Sequence, residues 1–183
     1  QAIYEMRQRL VEDFTPIFKR YYQTICASTE EVGLKYISHL ETDELTEKLA
    51  RNRERDRILG YTSAGIHKDE LEMTLGGYLI RRVGSQGQNK SYLIALKLAQ
   101  FAFLNQRGKT TPILLLDDIF DKLDANRVEQ IVKLVSGEGF GQIFITDTNR
   151  KYLDAILTAM GGDHALFKVE QGEVTPMEDR QDA

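Results

Sequence analysis

The sequence predicts an α/β protein in which a mostly parallel sheet packed by helices follows a helical arm region with a small β element. Three stretches point there. Pro112-Ile113-Leu114-Leu115-Leu116-Asp117-Asp118 is a short apolar run ending in two carboxylates, as a strand buried on both faces would be. Gly84-Ser85-Gln86-Gly87-Gln88 opens a long apolar helical pattern. The leading segment repeats apolar residues at helical steps.

Length and charge bound the possibilities. A chain of 183 residues holds one domain or two small ones, with a sizeable core. Its formal charge of -4 gives no global drive toward nucleic acid, so DNA contact must come from local patches. Cys26 is the only cysteine, which excludes an internal disulfide and suits a cytoplasmic setting. The three histidines show no metal-ligand spacing. No apolar run approaches the roughly 20 residues of a membrane span, so no membrane partner is expected. No signal peptide is visible. A first residue of Gln, not Met, suggests a processed chain or a piece of a longer one.

Residues 2–26 read as an amphipathic helix through Ile3, Met6, Leu10, Phe14, Ile17, Tyr21 and Ile25, with a kink at Pro16 or a break after Thr15. Its Lys19, Arg20 and tyrosines suit an arm that meets a partner or DNA, or a packing helix with solvated charges. Residues 31–38 alternate as a half-buried strand. Thr42 is placed to cap a helix reaching Leu59 and stopping at Gly60, with Asp43 and Glu44 in its first turn. In that helix Arg51, Arg53, Arg55 and Arg57 form a basic strip interleaved with Glu54 and Asp56. The strip suits a phosphate backbone or a solvated face in which Glu47 pairs with Arg51. Residues 71–83 predict a hairpin, with Leu71, Met73 and Leu75 alternating, a turn at Gly76-Gly77 and a return over 79–83.

The chemistry gathers after the hairpin. Glycines in 84–88 leave backbone N–H groups open, and Ser85 adds a hydroxyl donor. The helix expected over 89–105 turns its positive end to the same space, which suits a γ-phosphate, although an ordinary cap also explains the loop. Tyr92, Leu93, Leu96, Ala99, Gln100 and Phe103 are expected on its packing face. At the end of the 112–116 strand one carboxylate, Asp117, can hold Mg²⁺, and Asp118 can orient or deprotonate a water that attacks a phosphate. The plainer alternative is two acids in a turn or capping the next helix. Asp124 precedes a helix to Val135 and is placed to be its plain N-cap from Ala125 onward, a part it can hold together with a functional one. Residues 141–146 form the next buried strand, 150–160 a helix ending at Gly161-Gly162, and 164–169 a last strand turned back over 170–173. The acidic end is expected to fray.

The order of these motifs resembles the ABC-type ATPases of the SMC group: signature motif, helix, Walker B acids, then a D-loop in Asp121-Lys122-Leu123-Asp124. Three details are similar to the RecF family in particular. Asp118 stands where most of the wider group has Glu, Ser-Gln-Gly-Gln replaces Ser-Gly-Gly-Gln, and Thr62-Ser63-Ala64-Gly65-Ile66-His67-Lys68-Asp69-Glu70-Leu71 looks like a Gly-Pro-His-Arg-Asp-Asp-Leu segment. No Gly-x-x-x-x-Gly-Lys-[Ser/Thr] loop occurs, so the chain looks like the carboxyl-terminal half of such a protein and is expected neither to bind ATP tightly nor to hydrolyse it alone.

The resemblance implies an arm lobe over 1–105, an ATPase-lobe segment over 106–176 and an acidic tail over 177–183. It implies ATP and Mg²⁺ as cofactors of the intact protein, with Ser85, Gly87 and Gln88 contacting nucleotide held by a facing subunit of an ATP-bound homodimer. Asp117 would bind metal, Asp118 would act on water, and Asp124 would shape the dimer contact. In ABC ATPases a switch histidine commonly follows the strand at 141–146. Here Thr146-Asp147-Thr148 stands there, which leaves Thr146 or Asp147 as phosphate sensor, or a weakened sensor role. The implied function is ATP-dependent binding of single-strand/double-strand junction DNA in recombinational repair, with recombination mediator proteins as partners and slow hydrolysis as release. A non-catalytic repair scaffold and, with less support, an ABC transporter ATPase fragment are the alternatives.

Overall fold

The computed structural model describes residues 1–41, 45–137, 139–148, 154, 157 and 164–177. It begins with helix α1 (Ala2–Cys26), which carries Pro16 inside it; of the two expected outcomes, the break after Thr15 does not occur. Phe18, Tyr22 and Ile25, all fully buried, hold the second half of α1 in the core and outweigh the proline's missing hydrogen bond. Phe18 and Tyr22 pack on Tyr92 with ring centroids 4.6 and 5.7 Å away. The apolar stripe is spent unevenly: Ile3, Met6 and Leu10 in the first half are exposed.

Tyr92 belongs to α4 (Gln86–Arg107), the helix around which the chain is built. Helix α1 packs against α4, against strand β1 (Val32–Ile37) and against α5 (Ala125–Val135). One apolar cluster joins residues of α1, β1, α4, the strand β4 (Leu114–Asp117) and α5. The buried residues of α4 are Ser91, Tyr92, Ile94, Ala95, Leu98, Ala99, Phe101 and Phe103. The expected packing face is therefore corrected: Leu93 and Gln100 are exposed, while Ile94, Ala95 and Leu98 lie inside. A helix flanked by others on several sides buries a broad sector that a single stripe does not describe.

Strand β1 pairs antiparallel with β2 (Glu70–Leu75), from Val32 opposite Leu75 to Ile37 opposite Glu70. The hairpin turns at Gly76-Gly77, both at positive φ (57° and 79°), as glycine allows. Its return is shorter than expected: β3 is only Tyr78–Leu79, and the chain then coils into α3 (Ile80–Val83). The helical turn buries Ile80 and leaves Arg81 and Arg82 in solvent, which a continued strand would not allow together. Residues 42–44, the expected cap of α2 (Leu45–Leu59), lie outside the described residues. Helix α2 buries no residue and ends at Gly60, φ 74°, as expected.

Strand β4 pairs parallel with β5 (Ile143–Thr146), Leu114 opposite Ile143 and Asp117 opposite Thr146. This is the parallel pairing expected of the fold class; the other described sheets are antiparallel. Burial on both faces is not found. Leu114 and Leu116 point into the core, but Leu115 is 68% exposed and Phe144 on β5 is 51% exposed. Among the described residues, helices cover one face of this sheet only. The expected helix over 150–160 and the tail 178–183 lie outside the described residues. The expected turn at 170–173 joins β6 (Leu166–Glu170) to β7 (Glu173–Met177).

Candidate functional site

The acidic end of β4 is open to solvent. Asp117 and Asp118 are both exposed, although Leu116 before them and Ile119 and Phe120 after them are buried. Apolar anchors on both sides hold the acids at the surface. Asp118 takes a left-handed conformation, φ 46°. Asp and Asn accept that backbone more readily than longer side chains, which gives a physical reason for Asp at a position where the wider ABC pattern has Glu. The Asp118 N–H donates to the Thr146 carbonyl at 2.9 Å, and Lys90 Nζ donates to the Asp118 carbonyl at 2.7 Å. Lys90 lies on α4, so the helix that starts at the glycine-rich loop is tied directly to the acidic turn.

The residues at the switch position face the same turn. The Thr146 hydroxyl donates to an Asp117 carboxylate oxygen, and Asp147 accepts from the Phe120 N–H at 3.4 Å. Strand pairing sets Thr146 opposite Asp117, and the segment after β5 then brings Asp147 beside the turn. Among the described residues no group of three or more His, Cys, Asp or Glu side chains could form a metal cage. An exposed strand-end carboxylate beside a hydroxyl still fits Mg²⁺, which keeps several waters and is commonly held by one or two carboxylates plus substrate phosphate.

Ser85 is the N-cap of α4. Its hydroxyl oxygen accepts from the Gln88 N–H at 3.2 Å, and Gln88 Oε1 accepts from the Ser85 N–H at 2.9 Å, a complete capping box. The helix therefore starts at Gln86 and not at Asn89, because the box recruits Gly87 and Gln88 into its first turn. The N–H groups of Gln86 and Gly87 have no intrahelical acceptor there, and the Ser85 hydroxyl keeps its hydrogen to donate. These groups at the positive helix end suit an anion. The cap expected as the plain alternative is present together with them.

Asp124 likewise caps α5, accepting from the Arg127 N–H at 3.0 Å. The Arg127 side chain runs back toward the glycine-rich turn. A Cβ on Gly87 would come within 2.6 Å of Arg127 Nη1 and 3.5 Å of the Lys122 carbonyl. Hence the turn at 121–124 and the first turn of α4 are in contact within one chain. Arg51, Arg53, Arg55 and Arg57 lie elsewhere, on the solvated α2. Arg51 pairs with Glu47 at 3.2 Å and Arg57 lies 3.8 Å from Glu54. An open groove along α2 is lined by Arg53, Arg57 and Tyr61, but by none of the acidic or glycine-rich motif residues.

Lys90, Arg127 and Glu30, whose Oε1 accepts from Gln88 Nε2 at 2.6 Å, were not legible from sequence. Lys90 and Arg127 stand in motif-bearing segments, where a cation beside acids is the available signal. Glu30, in the α1–β1 connection, carried none.

The fold and these two ends define the class: the carboxyl-terminal half of an ABC-type ATPase head of the SMC group. The chain superposes with a TM-score of 0.71 on a solved RecF described as a recombination mediator with ATPrS, covering 97% of this chain and 47% of that one at 25% identity. An SMC ATPase structure matches at a TM-score of 0.54 and 17% identity, a likeness of fold alone, over 95% of this chain and 89% of that one. In sequence, the chain is 81% identical to the DNA replication and repair protein RecF of Parabacteroides distasonis over 179 residues, 98% of this chain and 49% of that protein. It is 56% identical to RecF of Bacteroides fragilis (strain YCH46) over 181 residues, 99% of this chain and 49% of that protein. No protein-family profile matches the chain. It belongs with the RecF proteins, as a segment about half the length of the curated relatives it matches.

Proposed function

We propose that this chain supplies the signature and Walker B parts of a composite ATP site in a RecF-type DNA repair ATPase. The observation that carries the reading is the Lys90 bond to the Asp118 carbonyl, which joins the helix capped by Ser85 to the acidic strand end. In this reading Asp117 binds Mg²⁺, and Asp118 acts on water. Bound nucleotide supplies the phosphoanhydride to be cleaved. Ser85 and the free N–H groups around Gly87 receive the γ-phosphate of nucleotide held by a facing copy. Asp124 shapes the contact between copies, and Thr146 and Asp147 hold Asp117 and the acidic turn in register. The P-loop comes from a segment other than this one.

The arm lobe over 1–105 and the ATPase segment over 106–176 would then move as parts of a cytoplasmic protein that dimerises on ATP. It would hold junction DNA and meet recombination mediators. The Arg51–Arg57 strip of α2 is the candidate phosphate contact. Among the described residues no helix is long and apolar enough to cross a membrane. The test is Asp118→Asn in a full-length RecF protein carrying this sequence. ATP-driven dimerisation, measured by sedimentation, should persist while turnover is lost. Loss of both together contradicts the assignment.

A further inference from the structure

The carboxamide of Gln88 is committed at both ends. Its oxygen accepts from the Ser85 N–H at 2.9 Å, and its nitrogen donates to Glu30 Oε1 at 2.6 Å. Glu30 lies in the connection between α1 and β1, far from Gln88 in sequence. Its other oxygen accepts from the Tyr22 hydroxyl at 2.9 Å. Tyr22 is fully buried, its ring tilted against Phe18 and edge-on to Tyr92, so the carboxylate is referenced to the core and not to a mobile surface group. Burial, and then the bond to Glu30, push the Tyr22 hydroxyl well above its ordinary pKa, so it remains a donor throughout the neutral range.

We propose that Glu30 is a positioning residue of the signature turn: by holding the Gln88 carboxamide it sets where the Ser85 hydroxyl and the free N–H groups of α4 are presented to a facing subunit's γ-phosphate. The inference rests on the composite-site reading above. It assigns Gln88 a different part from that expected of it. With its oxygen on the Ser85 N–H and one of its two N–H hydrogens on Glu30, the Gln88 side chain is held within the chain and shapes the turn. The chain of contacts Tyr22–Glu30–Gln88–Ser85 also runs from the last turns of α1 to the phosphate-facing turn, so a shift of one end is felt at the other. A carboxylate suits this place because both of its oxygens accept neutral donors, Oε1 from Gln88 and Oε2 from Tyr22 and, at 3.4 Å, from the Ser28 hydroxyl. A glutamine offers one oxygen and must turn its NH₂ toward the other donor.

The test uses a full-length RecF protein carrying this sequence, with Glu30→Ala, Glu30→Gln and Tyr22→Phe. Binding of a fluorescent ATP analogue to the separate subunit should be unchanged in all three, because the P-loop is untouched. The ATP concentration that half-saturates dimerisation should rise about tenfold in Glu30→Ala, the scale of one lost hydrogen bond to a charged group. It should rise less in Glu30→Gln and Tyr22→Phe. Hydrogen exchange in the same proteins should quicken at the Ser85 and Gln88 amides of Glu30→Ala, with the α4 amides around Leu98 unaltered.

If the unmodified protein dimerises with ATP and Glu30→Ala does so at the same concentration, the proposal is overturned. If the unmodified protein does not dimerise, the composite-site reading fails instead, and the exchange rates still decide the clamp. Unaltered exchange at Ser85 and Gln88 overturns it; faster exchange confined to that turn supports it.

Discussion

Asp69 and Asp117 each accept a side-chain hydroxyl, yet they occupy opposite situations. The Asp69 side chain, 3% exposed, takes hydrogen bonds from Tyr36, from Ser38 at 2.7 Å and from Arg7 at 2.7 Å, and so locks α1 to the β1–β2 sheet. Asp117 is exposed at the end of β4 and accepts from Thr146. The first carboxylate is consumed by the fold, and the second is displayed by it. Asp69 stands between Lys68 and Glu70 and Asp117 between Leu116 and Asp118, and neither setting separates the two roles; the number and burial of the donors tell them apart.

The largest expected effect comes from breaking the consumed site. Asp69→Ala leaves the Tyr36 and Ser38 hydroxyls and Arg7 without their acceptor and should cost about 3 kcal/mol in urea unfolding. Asp117→Ala should cost under about 0.5 kcal/mol. Equal losses would dissolve the contrast. A pH series sharpens it. Burial raises the Asp69 carboxyl, but the bonds from Tyr36, Ser38 and Arg7 outweigh that and hold it below the ordinary carboxylate value. The unfolded chain therefore binds this proton first. The stabilisation is complete above about pH 4 and is lost as pH falls through the lower native value. Asp69→Asn should flatten this part of the acid-unfolding curve, and Asp117→Asn should leave it in place.

A smaller loss is expected at the capping box. Ser85→Ala removes the acceptor for the Gln88 N–H and should cost about 1 kcal/mol. Its effect on ATP-driven dimerisation should exceed what that destabilisation explains. The smallest effect on stability belongs to Asp118→Asn. Asn accepts the φ of 46° as well as Asp does, so thermal unfolding should be unmoved within error while turnover disappears.

Much of this was legible because local chemistry and global position agree. The strand end at Asp117-Asp118, the cap at Ser85, the cap at Asp124 and the stop at Gly60 each follow from residue types within a few positions of one another. The packing face of α4 differs from the expected stripe because Ile94, Ala95 and Leu98 join a common core with residues of α1, β4 and α5, a sector that no single periodicity encodes. Strand β4 looked buried on both faces because Leu115 is as apolar as its neighbours, yet the described helices cover one face only. The Glu30–Gln88 bond was invisible because it joins residues that only the packing of α1 on α4 brings together.

The most direct test of the account is ATP turnover by this chain mixed with an amino-terminal RecF half carrying the P-loop, with and without gapped DNA, against an Asp118→Asn control. The account predicts turnover that requires both halves and vanishes with the substitution. No turnover from halves shown to be folded and associated would contradict it, and would leave these motifs as sensors of nucleotide in a clamp that does not consume it.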